Sequence, residues 1–396
     1  MKLYYITRTF YPHQKGGGPL MRATAVDKLR ELGWDVVVVM PGYRQIKVHE
    51  SNNLIQIPTL PILKITRLLQ KVGLLEDYLD LWVRKSLKYL KNVVKKDDLV
   101  FATSGGELGT LKLAALLKSE TGCTAVLNFR DPLEYALCHN LLIDNSYHVS
   151  REKNEKKYLS AADLLVTSSQ HYKSNLIGKY PELTQKVLNN YFGFFSNPIE
   201  DQRISERDDS IIRICYMGTM TKAQKPEILI EAFVSLASNI KNKIELVFIG
   251  NHKLYREFDP YRNTDKIVFL DYMSSEELKD YIQKNIHIGF VSLVKDYYGA
   301  CVPSKIYEYI NFELPILAAL PAGDGLDIVN DNKFGLACKY NNTSELQNNI
   351  EKITDPIFLN LVRVKLKTNK NSWSMATQIK ALNSSLSALV KPVPTL

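Results

Sequence analysis

Nowhere in the chain does an apolar stretch reach the roughly 18 uncharged residues that a membrane-crossing helix requires, so no transmembrane segment is expected. Cysteine is sparse. Cys123, Cys138, Cys215, Cys301 and Cys338 are odd in number, widely spaced and without a C-x-x-C pair, which argues against a disulfide framework or a zinc site and fits a reducing cytoplasm. The histidines form no H-x-x-x-H or H-E-x-x-H arrangement and no two aspartates flank a single residue, so no metal is expected. No signal peptide is expected: Thr7-Arg8-Thr9 interrupts the short apolar run Leu3 to Ile6, and no small-residue cleavage site follows. The run reads as a first strand.

What is present is an ordinary globular composition, 45% apolar and 23% charged over 396 residues. That length exceeds what one hydrophobic core usually organises, so two domains are expected. The net charge of +9 is uneven. Between Pro61 and Lys96 nine bases stand against three acids, a net +6, interleaved with Leu68, Leu69, Leu74, Leu75, Tyr78, Leu81 and Trp82 at three- and four-residue spacings. Such a pattern suits either helices whose apolar faces pack inward or a basic amphipathic surface on anionic lipid. No recognition motif or aromatic platform accompanies the charge, so nucleic acid is not an expected partner.

In chain order, the strand Leu3 to Thr9 leads into a loop with Pro12 and Gly16-Gly17-Gly18, a helix through Leu32 and a strand Asp35 to Met40. The three glycines do not match G-x-G-x-x-G, but they would let the backbone approach a ligand closely at the ends of parallel strands. A flexible turn explains them almost as well. Strands from Asp98 to Ala102 and from Thr124 to Phe129 follow, the second ending at Arg130-Asp131. Charged residues at such an end face the ligand crevice of open α/β sheets or form a structural ion pair. Another helix (Lys153 to Leu159) and strand (Ala161 to Ser168) lead to a polar linker from Ser196 to Ser210. A second series then begins: strand Ile211 to Met217, the loop Gly218 to Pro226, a helix to Ser238, strands Ile244 to Ile249, Lys266 to Leu270 and Ile286 to Val291, and a closing helix Met375 to Leu389. The fold class read from this is α/β, two Rossmann-like domains facing each other across a cleft.

One stretch organises the second half: Val302-Pro303-Ser304-Lys305-Ile306-Tyr307-Glu308-Tyr309, followed by the apolar Pro315 to Ala319. Pro303 suits the first turn of a helix, and Ser304 and Lys305 set a hydroxyl and a cation beside free N–H groups, an end that attracts anions. Glu308, four residues after Ser304, shares its face and can accept from hydroxyls one turn in. Ile306 and Ile310 form the buried side. An ordinary amphipathic helix with an exposed Glu is the alternative.

The order of these motifs resembles that of the GT-B fold retaining glycosyltransferases of family 4, in particular bacterial surface-polysaccharide enzymes with a P-S-K-x-x-E-Y signature. The resemblance covers nearly the whole chain: Gly16 to Gly18, Arg130-Asp131, Ala162-Asp163, Gly218 to Gln224, Gly250, Pro303 to Tyr309, Leu314-Pro315-Ile316 and Trp373-Ser374. It implies an acceptor-binding domain over residues 1–196, a linker 197–210, a nucleotide-sugar domain 211–372, and a helix 373–396 crossing back to the first domain. Glu308 would accept from ribose hydroxyls, and amides near Val302, Pro303 and Ser304 would hold the pyrophosphate of a nucleotide-sugar, near Gly218, Thr219 and Gly250. Lys222, helped by Lys225 and Lys305, would neutralise the departing phosphate without a metal or any other cofactor. Gly16, Gly17, Gly18, Arg130 and Asp131 would face a glycan or lipid-linked acceptor, and residues 61–96 an anionic membrane surface. Two departures stand out: Ala300 replaces the first glutamate of the family's E-x7-E, and Thr219 replaces an arginine of the phosphate site.

Overall fold

The computed structural model describes residues 1–43, 45–51, 53–59, 63–133, 146–195 and 210–390. The expected linker 197–210 thus lies outside the described residues except for Ser210, as does Cys138. The chain divides into two compact units: Met1–Phe192 with Met375–Leu396, and Gly193–Ser374.

Unit 1 contains β1 (Leu3–Ile6), β2 (Val36–Gly42), β3 (His49–Ser51), β4 (Leu54–Pro58), β5 (Leu99–Gly105), β6 (Thr124–Asp131), β7 (Leu164–Thr167) and β8 (Val187–Asn189). Its sheet runs β3-β4-β2-β1-β5-β6-β7-β8, parallel except where β3 pairs antiparallel with β4. Unit 2 contains β9 (Ile212–Gly218), β10 (Ile244–Gly250), β11 (Ile267–Leu270), β12 (Ile288–Ser292), β13 (Ile316–Leu320) and β14 (Gly335–Lys339) in the order β11-β10-β9-β12-β13-β14. From its first strand this is the doubly wound 3-2-1-4-5-6 order, and a ligand crevice belongs at the carboxyl ends where the order reverses.

The sequence explains why these strands are central. All residues of β1, β2, β12 and β13 are buried, and their runs of Val, Ile, Leu and Ala lack the alternation of a half-exposed strand. Parallel strands covered on both faces need that composition. In unit 2 the helix Ile228–Val234 buries Leu229, Ile230 and Phe233 against Ile214, Tyr216 and Phe248 of the sheet. At about 25 cal/mol per Å² of apolar area, each such large side chain contributes roughly 1.5–3 kcal/mol when fully buried.

Several boundaries differ from the sequence reading. β1 stops at Ile6 rather than Thr9, and β6 continues through Asp131. The helix expected to reach Ser238 ends at Val234, where Leu236 N–H bonds the Phe233 carbonyl at 3.1 Å, a tightened last turn, and Ser238–Lys241 is a separate short helix. Gly17 and Gly18 lie in the first turn of the helix Gly17–Glu31, leaving only Gly16 outside it as N-cap. Pro303 is likewise the N-cap of the helix Ser304–Asn311 and not its first residue.

The helix Met375–Val390 belongs to unit 1 and packs beside the helix Gly17–Glu31. Asn383 Oδ1 accepts from Trp34 Nε1 at 2.7 Å, and Gln378 O accepts from Asn190 Nδ2 at 3.0 Å. The chain enters and leaves unit 2 through neighbouring segments, with Phe194 N–H donating to Trp373 O at 2.9 Å.

Candidate functional site

At the carboxyl ends of the unit 2 strands the backbone approaches itself closely. Gly218 and Gly250 are register partners at the ends of β9 and β10, with φ of +99° and +142°. A Cβ on Gly250 would stand 2.3 Å from the Gly218 carbonyl oxygen, so no side chain fits there. The loop after Gly218 is held from several sides. Asn251 Oδ1 accepts from Met220 N–H at 2.7 Å, Tyr216 Oη donates to Thr219 O at 2.8 Å, and Ser292 Oγ donates to Gln224 O at 2.5 Å. The turn is preformed.

The helix Ser304–Asn311 starts beside this turn. Ile306 and Ile310 are fully buried, as the spacing required, and Tyr309 Oη ties the helix to the sheet by donating within reach of Cys215 O (3.1 Å) and Phe290 O (2.8 Å). Ser304 is exposed at the first helical position, Val302 and Pro303 are half-buried, and the N-terminus has no side-chain cap. Its amides therefore stay open to an anion. Glu308, half-buried, lies one turn along the face of Ser304.

Lys305 is the lysine brought to the glycine turn. Its Nζ lies 4.7 Å from the Tyr216 ring centroid, and its Cε is 3.5 Å from where a Cβ on Gly218 would be. Burial pushes its ammonium down to about 8, because the charged form loses water. The two lysines of the loop differ. Lys222, expected to neutralise the phosphate, has a side chain 88% exposed and paired with Glu257 at 3.2 Å, and Lys225 pairs with Glu231 at 3.8 Å. Thr219, in the place of the family's arginine, is exposed. Ala300 ends the turn Asp296–Ala300, where Gly299 packs backbone to backbone against Gly323.

Unit 1 gathers charge at its strand ends. Arg130 and Asp131 close β6, both half-buried, and the sequence reading found them. It missed Arg8, Arg22 and Glu107. Arg22 is 3% exposed on the helix Gly17–Glu31 and donates to Thr9 Oγ1 at 2.6 Å. Glu107, also 3% exposed, accepts from Gly105 N–H at 2.9 Å and lies 3.5 Å from Arg8 Nε. Arg8 Nη1 donates to Tyr78 Oη at 2.8 Å, and the Arg130 guanidinium lies 5.3 Å from the Phe192 ring centroid. A signal for Arg22 was available: it shares the face of Val26 and Leu29, four and seven positions on, both buried. Burial pushes the Asp131 carboxyl up, and the Arg130 charge offsets part of that. Arg22 and Arg130 also line a cavity of about 30 Å³ with Tyr5, Asn128, Phe192 and Ile379.

Residues 198–357 match the family model described as Glycosyl transferases group 1. No curated protein matches the chain in sequence. Solved structures match over its full length: an apo structure of OtsA (TM-score 0.71, 11% identity, 100% of both chains) and a structure titled trehalose-6-phosphate from E. coli bound with UDP-2-fluoro glucose (TM-score 0.70, 12% identity, 100% of both chains). The apo form of the lipopolysaccharide outer core galactosyltransferase WaaB matches with TM-score 0.67 and 11% identity over 98% of this chain and 99% of that one. The fold is GT-B, built of two Rossmann-like units, and the second unit carries the match to group 1 glycosyl transferases.

Proposed function

We propose that the chain is a retaining glycosyltransferase that moves a sugar from a nucleotide diphosphate sugar, with UDP favoured, to a glycan or lipid-linked acceptor in surface polysaccharide biosynthesis. The observation that carries this is Lys305: a half-buried lysine against Tyr216, beside the Gly218 turn and the uncapped start of the helix Ser304–Asn311. A buried cation next to open amides is favourable only when an anion arrives, and a diphosphate leaving group is such an anion. In this reading the amides at Ser304 and Lys305 hold the pyrophosphate and Glu308 accepts from the ribose. Lys305 carries the charge role first assigned to Lys222, with Lys222 and Lys225 at the rim. The acceptor hydroxyl attacks from the face the nucleotide leaves, with a phosphate oxygen as base, and Asp131 and Arg130 orient the acceptor. The UDP-2-fluoro glucose bound in one structural neighbour and the description of another as a lipopolysaccharide outer core galactosyltransferase support the donor and acceptor classes.

Thermal stability of the native chain and of Glu308→Ala is measured against UDP, GDP, ADP and CMP. A ligand at a hundred times its dissociation constant stabilises by about 2.7 kcal/mol. A shift by one nucleotide in the native chain only supports the donor site; hydrolysis or transfer of the matching nucleotide-sugar, lost in Glu308→Ala, then supports the transferase, binding without turnover favours the second reading, and no shift with any of them counts against both. That second reading is a GT-B protein that binds nucleotide-sugar without turnover as a partner or regulator. Ala300 and Thr219, in place of a sugar-contacting glutamate and a phosphate-site arginine, speak for it.

The basic stretch 61–96 carries the membrane part of the proposal. No described helix is long and apolar enough to cross a membrane. Leu75, Tyr78 and Trp82 of that stretch are core residues, whereas Ile65, Leu68, Val72 and Leu74 are exposed on and after the helix Leu63–Lys71. Among the described residues of the stretch, this first part has the apolar face to offer lipid, next to exposed Arg67 and Lys71. Binding to anionic vesicles that weakens with salt is expected, and equal binding to neutral vesicles counts against it.

A further inference from the structure

The cluster at the strand ends of unit 1 holds more positive charge and more unmade hydrogen bonds than a structural ion pair explains. Three guanidiniums, Arg8, Arg22 and Arg130, surround the carboxylates Glu107 and Asp131. Among the described residues, Arg22 Nε, Arg130 Nε and Glu107 Oε1 are buried and make no hydrogen bond. Leaving such groups unpaired costs about 1–3 kcal/mol each, more where they are charged. Burial together with the like charge of Arg130 pushes Arg22 down to about 10. In isolation the arrangement is unfavourable.

Two glycines keep space beside these guanidiniums. A Cβ on Gly18 would lie 3.4 Å from Arg130 Nη1 and 3.5 Å from Arg22 Nη1. A Cβ on Gly105 would lie 3.4 Å from Arg22 Nη2 and from Asp131 Oδ2, and 3.5 Å from Glu107 Oε2. A side chain at either position would crowd the guanidinium nitrogens. The Arg8 side chain is 33% exposed, so the cluster opens toward solvent on that side. The cavity of about 30 Å³ lined by Arg22 and Arg130 is the size of a water site and too small for a phosphate, which leaves the glycine side.

We propose that Arg8, Arg22 and Arg130, with the space kept by Gly18 and Gly105, form a phosphoryl-binding site, so that the acceptor is a sugar or lipid-linked sugar carrying a phosphate or diphosphate. Forked guanidiniums match phosphoryl oxygens with paired N–H donors, which a single lysine does not. Glu107 Oε1 supplies the complementary acceptor for a hydroxyl of the same molecule. This deepens the transferase reading and rests on it for the word acceptor; the anion site itself stands on unit 1 alone.

The test is calorimetric titration of the full chain with inorganic phosphate, in the presence of the nucleotide that saturates unit 2. It is repeated with Gly18→Val, which fills the space, and with Arg130→Gln, whose half-exposed side chain makes misfolding a lesser concern. Phosphate affinity should fall by about tenfold or more in both, while nucleotide affinity stays within about twofold of native. Hexose 6-phosphate and a polyprenyl phosphate in detergent are the two further arms. Tighter binding of the first than of inorganic phosphate assigns a soluble acceptor, and of the second a lipid-linked one. A native chain that takes up no phosphate, or variants that keep native affinity, overturn the proposal. If no nucleotide binds, the titrations are run in a Lys305→Met background, so that failure of the donor reading and failure of the arginine site remain separate results.

Discussion

Two sheets with the same order of strands about their first strand end in different chemistry. In unit 2 the carboxyl ends of β9 and β10 carry no side chain, Gly218 and Gly250 meet backbone to backbone, and the nearby cation, Lys305, is held by an aromatic ring. In unit 1 the equivalent ends carry Arg8, Glu107, Arg130 and Asp131, with Arg22 added from the first helix. The difference teaches how one topology serves two recognitions. Backbone amides reach a ligand only if it comes very close, which demands glycine, whereas guanidiniums reach across several ångströms and need only room for their forks.

Gly250→Ala tests the backbone half of this contrast most severely. The new Cβ at 2.3 Å from a carbonyl oxygen, at a φ of +142°, forces β9 and β10 apart at the turn. A loss of about 3–4 kcal/mol in urea unfolding is expected. A loss below about 1 kcal/mol would mean that the close approach is not required. Gly105→Ala in unit 1 meets side-chain atoms at 3.4 Å or more and should cost far less, so the pair measures the contrast directly.

Lys305→Met comes next. Removing the cation should lower nucleotide diphosphate affinity by about 2–3 kcal/mol. Native binding should also weaken as pH rises through about 8, with the variant flat over that range. The linkage sign is opposite for stability. Between about 8 and the ordinary value of 10.5 the unfolded chain holds a proton that the folded chain does not, so native stability rises with pH relative to the variant. A variant that binds nucleotide as tightly as native removes Lys305 from the phosphate.

Glu308→Ala should weaken nucleotide binding by about 1–3 kcal/mol, the worth of a charged hydrogen bond, with stability little changed because the side chain is half-exposed. Unchanged affinity would leave only the amides and Lys305 as the donor site. The contrast between these residues also shows what the sequence could tell. Val36 to Val39 and Ile316 to Leu320 announce buried parallel strands by composition, and the Ser304 to Glu308 spacing announces the helix face, since both depend on neighbours in the chain. Lys222 and Lys305 could not be ranked that way. Which of them turns inward depends on Glu257 and Tyr216, contributed by distant elements. The strand β3 was unreadable for a related reason: His49–Ser51 is exposed and polar, with no apolar alternation to mark it.

Asp131→Asn is the gentlest change and the sharpest for unit 1. Its carboxyl is pushed up by burial and by the Glu107 charge while three arginines pull the other way, so removing the charge should alter stability only modestly, by about 1 kcal/mol. Because the folded value is raised, ionising the group costs the folded state more than the unfolded one. The native chain therefore loses stability relative to the variant as pH rises from the acid range toward neutrality. Nucleotide affinity should be untouched, since no atom of unit 2 changes, whereas transfer to acceptor should fall through a higher acceptor KM, a lower kcat, or both. A parallel loss of donor affinity would show that the arginine cluster and the glycine turn do not serve separate ligands, and the contrast between the two sheets would then describe their architecture and not their function.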